Sequence, residues 1–590
     1  MTEKGTSGIN QSPRPGFPQN PWKALSFRDW LYVPHIFSRT ERALFFFCIA
    51  LTVISGVTSG TLVFLHLTHP VPAIGGIFRE GEVRPPERVN PLFLSSNDTD
   101  RDLVELIFSK LFVYDGKGNL TPDLAENYSI SADGKSYTIA LKKNAKWHDG
   151  TPLTADDVVF TVKTIQDPSY KSSLRPNWQG VTIERLGDYS VRFVLKQPYS
   201  PFLQNLALAI IPRHIWDNVS AEAASLSEAN LKPTGSGPYT FKSMSRNAAG
   251  AVTKYVLERN RDYYRAGPYI ETVEFTFYDS PDQLVQAFEA KNIDGVSVVS
   301  QKKVDFFKSL GGNAPAVKMP RIFAIFLNDS NPVLKDKLIR QALALAIPKD
   351  ELIKKVLGGG ALPIESPIPP GTFGYNGQIN KTAYDPNAAR AILAKAGWKD
   401  LNGDGLLEKK AAKKKDKPIP LKITLATSDW SDLKNSANAI KEYWKAIGVD
   451  AEINAMPIDD LESNVIRPRH YDALLFGEIL GHDPDPFAFW HSSQIKDPGL
   501  NIALYHSALV DNLLEDARRS TDQSRIEADY QKFQEAIHRD FPTIFLYSPT
   551  YTYIYRSNVK GLDIQTFIIP AERFDTFNSW YIKTKRVFHA

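Results

Sequence analysis

Cysteine is nearly absent from this 590-residue chain, with Cys48 the single thiol. One thiol excludes a disulfide framework and any cysteine-based zinc site. Charge excess is lacking too. The net charge is +4, and the first 42 residues hold six basic side chains against three acidic ones. The remainder is nearly neutral, which argues against a nucleic-acid binder. No HExxH, GxSxG or cysteine nucleophile occurs, and no residue set nominates itself for catalysis. No internal repeat is visible. What is present is apolar: 43% hydrophobic and 11% aromatic residues, ample for large cores and unlike a disordered chain. At about 150 residues per domain, the length predicts several domains.

Ala43 to Leu65 is a strongly apolar run of 23 residues without a charge. It is long enough to cross a hydrocarbon core of about 30 Å. Arg39 and Arg42 flank its start, so the positive-inside rule leaves residues 1–42 in the cytoplasm and the rest outside. A cleavable signal has a shorter apolar region, about 7–15 residues. The best nearby cleavage site, Val71-Pro72-Ala73, is spoiled by its proline, and Cys48 lacks the small residues of a lipoprotein box before it. An uncleaved single-pass anchor over 43–65 is therefore expected. Residues 1–42, with Pro13, Pro15, Pro18 and Pro21, read as a disordered cytoplasmic tail.

From Lys142 to Phe160 the chain reads KKNAKWHDGTPLTADDVVF, a strand end, a turn and a helix start. Ser136 to Leu141 alternates as a half-buried strand does. Asp149-Gly150 is a turn pair, since glycine accepts positive φ without steric cost. Thr154 stands three residues before Asp157, the spacing of a capping box. His148 and Asp149 look like a catalytic pair in isolation; within this βα join they read as structural.

Together with Pro122-Asp123-Leu124-Ala125-Glu126 and Asp133-Gly134, the run Trp147 to Val158 resembles the signature of family 5 extracytoplasmic solute-binding proteins. Further stretches resemble the same family in the same order: Pro212 to Ile215, Pro233 to Tyr239, Leu257 to Asn260 with Gly267-Pro268, Asn292 to Gly295, and Arg340 to Ala344. The glycine-rich 233–239 lacks the Lys and Ser/Thr of a phosphate loop and reads as a crossover hinge. The resemblance covers about residues 75–559. It implies an α/β, two-lobed periplasmic-binding-protein-like fold, with an extra domain inserted in lobe I, here preceded by one transmembrane helix. The expected divisions are 1–42 tail, 43–65 anchor, 66–110 linker and start of lobe I, 111–232 inserted domain, 233–320 lobe I, 321–555 lobe II, and 556–590 a return to lobe I. Strands at 423–425 and 449–453 around a helix at 435–447 imply a mostly parallel second sheet.

The resemblance places the ligand cleft along Tyr471 to Pro484, whose backbone would pair with an extended peptide as an added strand. Expected ligand contacts there are Phe476, Gly477, Glu478, Ile479, Leu480, His482 and Asp483. On the opposite wall they are Ser96, Asn97 and Asp98. In peptide receptors of the family an aspartate three residues before the acidic-Pro pair holds the ligand's ammonium; counting back from Asp483-Pro484, that place is Leu480. Leucine cannot pair with a cation. Either Glu478 or Asp98 supplies the charge, or the ligand has no free amino terminus; equally, Leu480 reads as a core residue. Arg467 and Arg469 could take an anionic end, since arginine forks suit carboxylates, or lie exposed.

No metal and no cofactor are expected. Asp400 to Gly405 opens like an EF-hand loop, but its twelfth position is Ala411, where a bidentate glutamate belongs. His482, His491 and His506 near Asp485 have no metal-ligand spacing. The lysine-rich stretch 409–417 reads as an exposed loop tip. The resemblance implies a receptor, not an enzyme. It would be monomeric and tethered through 43–65 on the extracytoplasmic face, passing a peptide or similar small solute to an ABC permease and its ATPase. The alternatives are a sensing receptor of the same fold without transport and a tethered hydrolase.

Overall fold

The computed structural model of the protein describes residues 38–93, 97–297, 303–411, 417–482 and 484–589. Nearly all of the expected amino-terminal tail, and the candidate contacts Ser96 and Asp483, lie outside them. The chain divides into two units, one of Met1–Val71 with Lys585–Ala590 and one of Pro72–Thr584.

In the first unit a helix runs from Arg39 to Leu67, with a mean hydropathy of 2.0 over its most apolar stretch and no buried residue. It is long and apolar enough to cross a membrane. Ser38 caps its start through a reciprocal box with Glu41. The strand Thr68–Ala73 pairs with Lys583–Phe588. The last residues thus belong with this helix, whereas the sequence reading carried all of 556–590 back to lobe I. Pairing between two strands of six residues each outweighs proximity in sequence.

The second unit holds two large sheets. The first runs in the order Gly312–Asn313, Ile554–Arg556, Gly295–Val296, Ile77–Glu82, Thr272–Phe277, Val252–Arg259 and Tyr239–Arg246. An antiparallel sheet of four strands, Ala125–Ile130, Ser136–Leu141, Ser190–Val194 and Thr182–Gly187, forms the inserted part. The second large sheet runs Ala316–Lys318, Thr543–Thr552, Arg321–Leu327, Ala473–Ile479, Lys422–Ser428 and Asp450–Met456. Its strands are buried on both faces. Ile325, Leu425 and Leu475 enter one core, and Ile322, Ala426 and Leu474 the other. Continuous apolar runs such as Ala473 to Phe476 follow from that two-sided burial.

This second sheet is mixed rather than mostly parallel. Lys422–Ser428 is parallel to both neighbours, but Arg321–Leu327 is antiparallel to Ala473–Ile479 and to Thr543–Thr552. The βαβ unit accounts for the parallel part. The antiparallel strands are those beside the crossovers to the first sheet, entering after Asn313 and leaving at Tyr553.

Local signals set the helix starts. Thr154 N–H donates to Asp157 Oδ2 at 2.9 Å ahead of helix Ala155–Gln166. Ser280 Oγ accepts from Gln283 N ahead of Pro281–Glu289, and Asp385 caps Pro386–Lys395.

A buried ionic knot ties the first lobe together. Arg573, fully buried, donates to Asp102 Oδ1 at 2.9 Å, to Glu80 at 3.0 Å and to Glu82 at 3.3 Å. Tyr553, at the crossover, donates to Glu80 at 2.7 Å, and Ser297 donates to Glu82. Three carboxylates surround one cation. Burial therefore pushes Glu80 up to about 7, and burial with the neighbouring Asp102 pushes Glu82 well above its ordinary value.

Candidate functional site

The strand Ala473–Ile479 pairs over its whole length with Arg321–Leu327. On its other side, Lys422–Ser428 pairs with Ala473, Leu474 and Leu475 only, then ends where Ser431–Lys445 begins. Among the described residues, Phe476 to Ile479 therefore have a strand on one side and none on the other. An open stretch inside an otherwise complete sheet presents unpaired N–H and C=O groups to an extended guest.

Side chains alternate along this strand. Gly477 and Ile479 share a face; a Cβ on Gly477 would meet the Phe323 ring at 2.7 Å, so the ring needs glycine there. Ile479 is 56% exposed. Phe476, Glu478 and Leu480 share the other face. Leu480 is a core residue, 3% exposed, and its N–H donates to Pro320 O at 2.8 Å.

Glu478 is also 3% exposed, and neither carboxyl oxygen has a hydrogen-bond partner among the described residues. Burial alone pushes its carboxyl well above the ordinary value; no neighbouring charge contributes. The hydroxyl of Ser428, at the end of the adjacent strand, is buried and unpartnered too. Leaving a buried carboxyl unmatched costs several kcal/mol on the order of a lost charged hydrogen bond.

The strand leads to His482, which reaches from the second lobe into the first. Its Nε2 lies 2.9 Å from Glu572 Oε2, and its ring centroid lies 4.0 Å from that of Tyr114. A second bridge stands beyond it. Asp485 is paired with Arg518 and accepts from Tyr199 OH of the inserted part at 3.2 Å, while Ser200 N donates to Arg518 O at 3.1 Å. Between these bridges is a cavity of about 480 Å³. Tyr114, Tyr128, Tyr137, Leu203, Phe373 and Ile526 give it an aromatic and apolar lining, and its polar groups include Asn119, Gln204 and Gln523.

The remaining expected contacts fall elsewhere. Asn97 caps the helix Asp98–Ile107, accepting from Thr99 N at 3.1 Å and donating to Pro85 O at 2.8 Å. Asp98 lies 3.8 Å from Arg101, and its charge also acts on Arg321 of the second lobe. Arg467 is exposed and paired with Glu462 at 2.9 Å. Arg469 spends its guanidinium on the carbonyls of Ile466, Ile495 and Gly499. Neither arginine lines the cavity. Three main-chain acceptors thus hold the Arg469 fork in support of its own loop, while Arg467 is held by Glu462 alone among the described residues.

His148 is no catalytic partner of Asp149. Its Nδ1 accepts from Gly235 N at 3.2 Å and its Nε2 donates to Gly237 O at 3.1 Å, which defines a neutral ring; burial pushes its pKa to about 4. Asp149 pairs instead with His214 at 2.7 Å. The ring pins the glycine run against the helix end: a Cβ on Gly235 would lie 1.9 Å from Ile107 O. At Asp400 to Gly405, the acidic oxygens accept from the loop's own amides, as Asp400 does from Gly403 and Gly405. No group of three or more possible metal ligands occurs among the described residues.

Sequence reasoning missed Tyr114, Glu572, Tyr199 and Arg518. Each meets its partner across 33 or more residues of separation, Arg518 being 33 residues from Asp485 and Glu572 90 from His482, and nothing local marks such a pair.

Two α/β lobes with an insertion, joined by crossovers, with an open strand edge in one and a cavity between the bridges that link them, define a two-lobed solute-binding protein. The family model for bacterial extracellular solute-binding proteins, family 5, matches residues 119–499, and the chain belongs to that family. It is 32% identical over 502 residues to the oligopeptide-binding protein AppA of Bacillus subtilis, covering 83% of this chain and 89% of AppA. It is 26% identical over 540 residues to the dipeptide-binding protein of Escherichia coli, covering 87% and 94%. The solved structure of Bacillus subtilis AppA in complex with a nonapeptide superimposes with a TM-score of 0.64 at 30% identity, over 87% of this chain and 100% of that one.

Proposed function

We propose that this chain is a membrane-tethered receptor that captures a peptide between its lobes and delivers it to an ABC importer. The observation that carries the reading is the open edge at Phe476 to Ile479, with a partnerless buried carboxyl on the same four residues. An extended peptide would add a strand there, gaining main-chain hydrogen bonds without reading side chains. Its side chains would occupy the aromatic cavity of about 480 Å³, within the usual range for ligand pockets. The relatives named for oligopeptides and dipeptides favour the same ligand class.

Glu478 would receive the ligand's ammonium. Of the two acids considered for that task, Asp98 already faces Arg101 and Arg321, whereas Glu478 faces no cation. A protonated Glu478 in the empty receptor would lose its proton as the ammonium docks. Helix Arg39–Leu67 would hold the receptor on the extracytoplasmic face. Closure of the lobes, held by His482–Glu572 and by Tyr199 on Asp485, would bury the ligand and present the closed form to the permease.

The test is native mass spectrometry and calorimetry of the full chain in lipid nanodiscs with peptides of two to nine residues (the span runs from dipeptides to the nonapeptide held by AppA). Saturable binding of a peptide is expected. Binding of a metal complex or sugar with no peptide affinity would overturn the reading.

A further inference from the structure

The end of the chain does something unusual at the end of the membrane-type helix. A helix leaves its last carbonyls without intrahelical partners, and at a bilayer interface water satisfies them only in part. Here the carboxy-terminal strand Lys583–Phe588 supplies the donors. Arg586 donates to Leu65 O at 3.0 Å, to Thr68 O at 2.6 Å and, through Nε, to Thr68 Oγ at 2.8 Å. His589 N donates to Leu67 O at 3.0 Å. Aromatic contacts follow the same line: Phe588 meets Phe64 of the helix at 6.3 Å, and His589 stacks on His69 at 4.8 Å.

What this ribbon leaves outward is basic and aromatic. Lys583, Lys585 and His589 are exposed, and Phe588 is 68% exposed although it is large and apolar. Aromatic rings and long basic side chains are the residue types that settle at a membrane–water interface, ring at the ester level and cation on phosphate. The ribbon begins at Thr68, the residue after the helix ends, so a helix that spans the bilayer delivers it to that layer by continuity.

We propose that the carboxy-terminal strand is the second leg of the tether: it caps the membrane helix through Arg586 and rests on the lipid headgroup layer through Lys585 and Phe588. The proposal rests on the reading of Arg39–Leu67 as membrane-spanning.

The experiment uses the full chain in nanodiscs containing a phosphatidylcholine with a nitroxide on its headgroup, and others with the nitroxide on the acyl chain. Fluorophores are placed singly at Cys48 or, in a Cys48→Ser background, at His589→Cys or Leu226→Cys. Quenching of the 589 label by headgroup nitroxide, about threefold or more beyond that of the 226 label, is expected for an interfacial position. Arg586→Ala should return the 589 label toward the 226 level, with the circular dichroism spectrum unchanged. If the Cys48 label is quenched by acyl-chain nitroxide but the 589 label is not quenched by headgroup nitroxide, the helix spans and the second leg is refuted. If the Cys48 label escapes quenching as well, the tether reading and this proposal fall together. A 589 label that stays quenched in Arg586→Ala would overturn the capping role given to that arginine.

Discussion

Both lobes bury acids, and they treat them in opposite ways. In the first lobe, Glu80, Glu82 and Asp102 close around Arg573, with Tyr553 and Ser297 adding hydrogen bonds. In the second, Glu478 is as deeply buried and, among the described residues, lies on a strand end that no neighbour covers and has no partner. Burial raises the affinity for protons in both places. A compensated buried charge is a structural tie whose loss leaves orphans behind. An uncompensated one is a standing cost in the empty protein, which a ligand bearing a cation would relieve. That difference separates framework from site more sharply than exposure does.

The largest effect should come from cutting the compensated knot. Arg573→Met leaves three carboxyls facing one another, and breaking a buried pair from one side costs about 3–5 kcal/mol. Thermal unfolding of the variant should show a first lobe that melts far below the wild type. A wild-type-like melt would mean that the acids are held protonated without help from the arginine.

Next comes Glu478→Gln, whose effect on stability should have the opposite sign. A carboxyl whose folded pKa is raised binds its proton more tightly in the native state than in the unfolded chain. Stability therefore falls as pH rises above the unfolded value, about 4.5 for glutamate. The glutamine variant escapes that loss, so its advantage over wild type in urea unfolding should grow between pH 5 and pH 8. Glu80, raised to about 7, should impose a similar slope that is complete near that pH, and Glu478→Gln should leave this part untouched. Parallel stability profiles for the two proteins would show that Glu478 has a partner in solution.

The smallest effect belongs to the bridge between the lobes. His482→Ala removes the contact to Glu572 and the ring against Tyr114 but touches neither acid group discussed above. The expected result is a melting temperature lowered far less than in Arg573→Met and a larger radius of gyration by small-angle scattering, as the lobes part. An unaltered radius would show that the contacts of Tyr199 with Asp485 and of Ser200 with Arg518 set the closed arrangement by themselves.

Much of the framework was legible in the chain because its signals are local. Thr154 with Asp157, Ser280 before Pro281, and Asp385 before Pro386 mark helix starts that the structure shows. The ordered motifs pointed to the family, and through it to a cleft strand within Tyr471 to Pro484, which the structure places at Ala473–Ile479. The site was less legible. Glu478 was visible as an acid in an apolar strand, yet its lack of a partner depends on where Lys422–Ser428 ends, a matter of sheet register. Leu480 had two readings until burial assigned it to the core. Arg469 looked like an anion fork because its three acceptors are carbonyls, which leave no trace in side-chain identity. The direction of Arg321–Leu327 and the pairing of the last strand with Thr68–Ala73 are long-range events of the same kind.

The central claim is that Glu478 waits, protonated, for the ammonium of a peptide. Titration calorimetry of a binding peptide at pH 7, in two buffers of different ionisation enthalpy, tests it directly. The account predicts net proton release on peptide binding, from a carboxyl that burial raises well above its ordinary value. It also predicts that Glu478→Gln abolishes the release and weakens binding by about 2–5 kcal/mol, as loss of one partner of a buried charge pair does. Equal enthalpies in both buffers, together with unchanged affinity in Glu478→Gln, would contradict it.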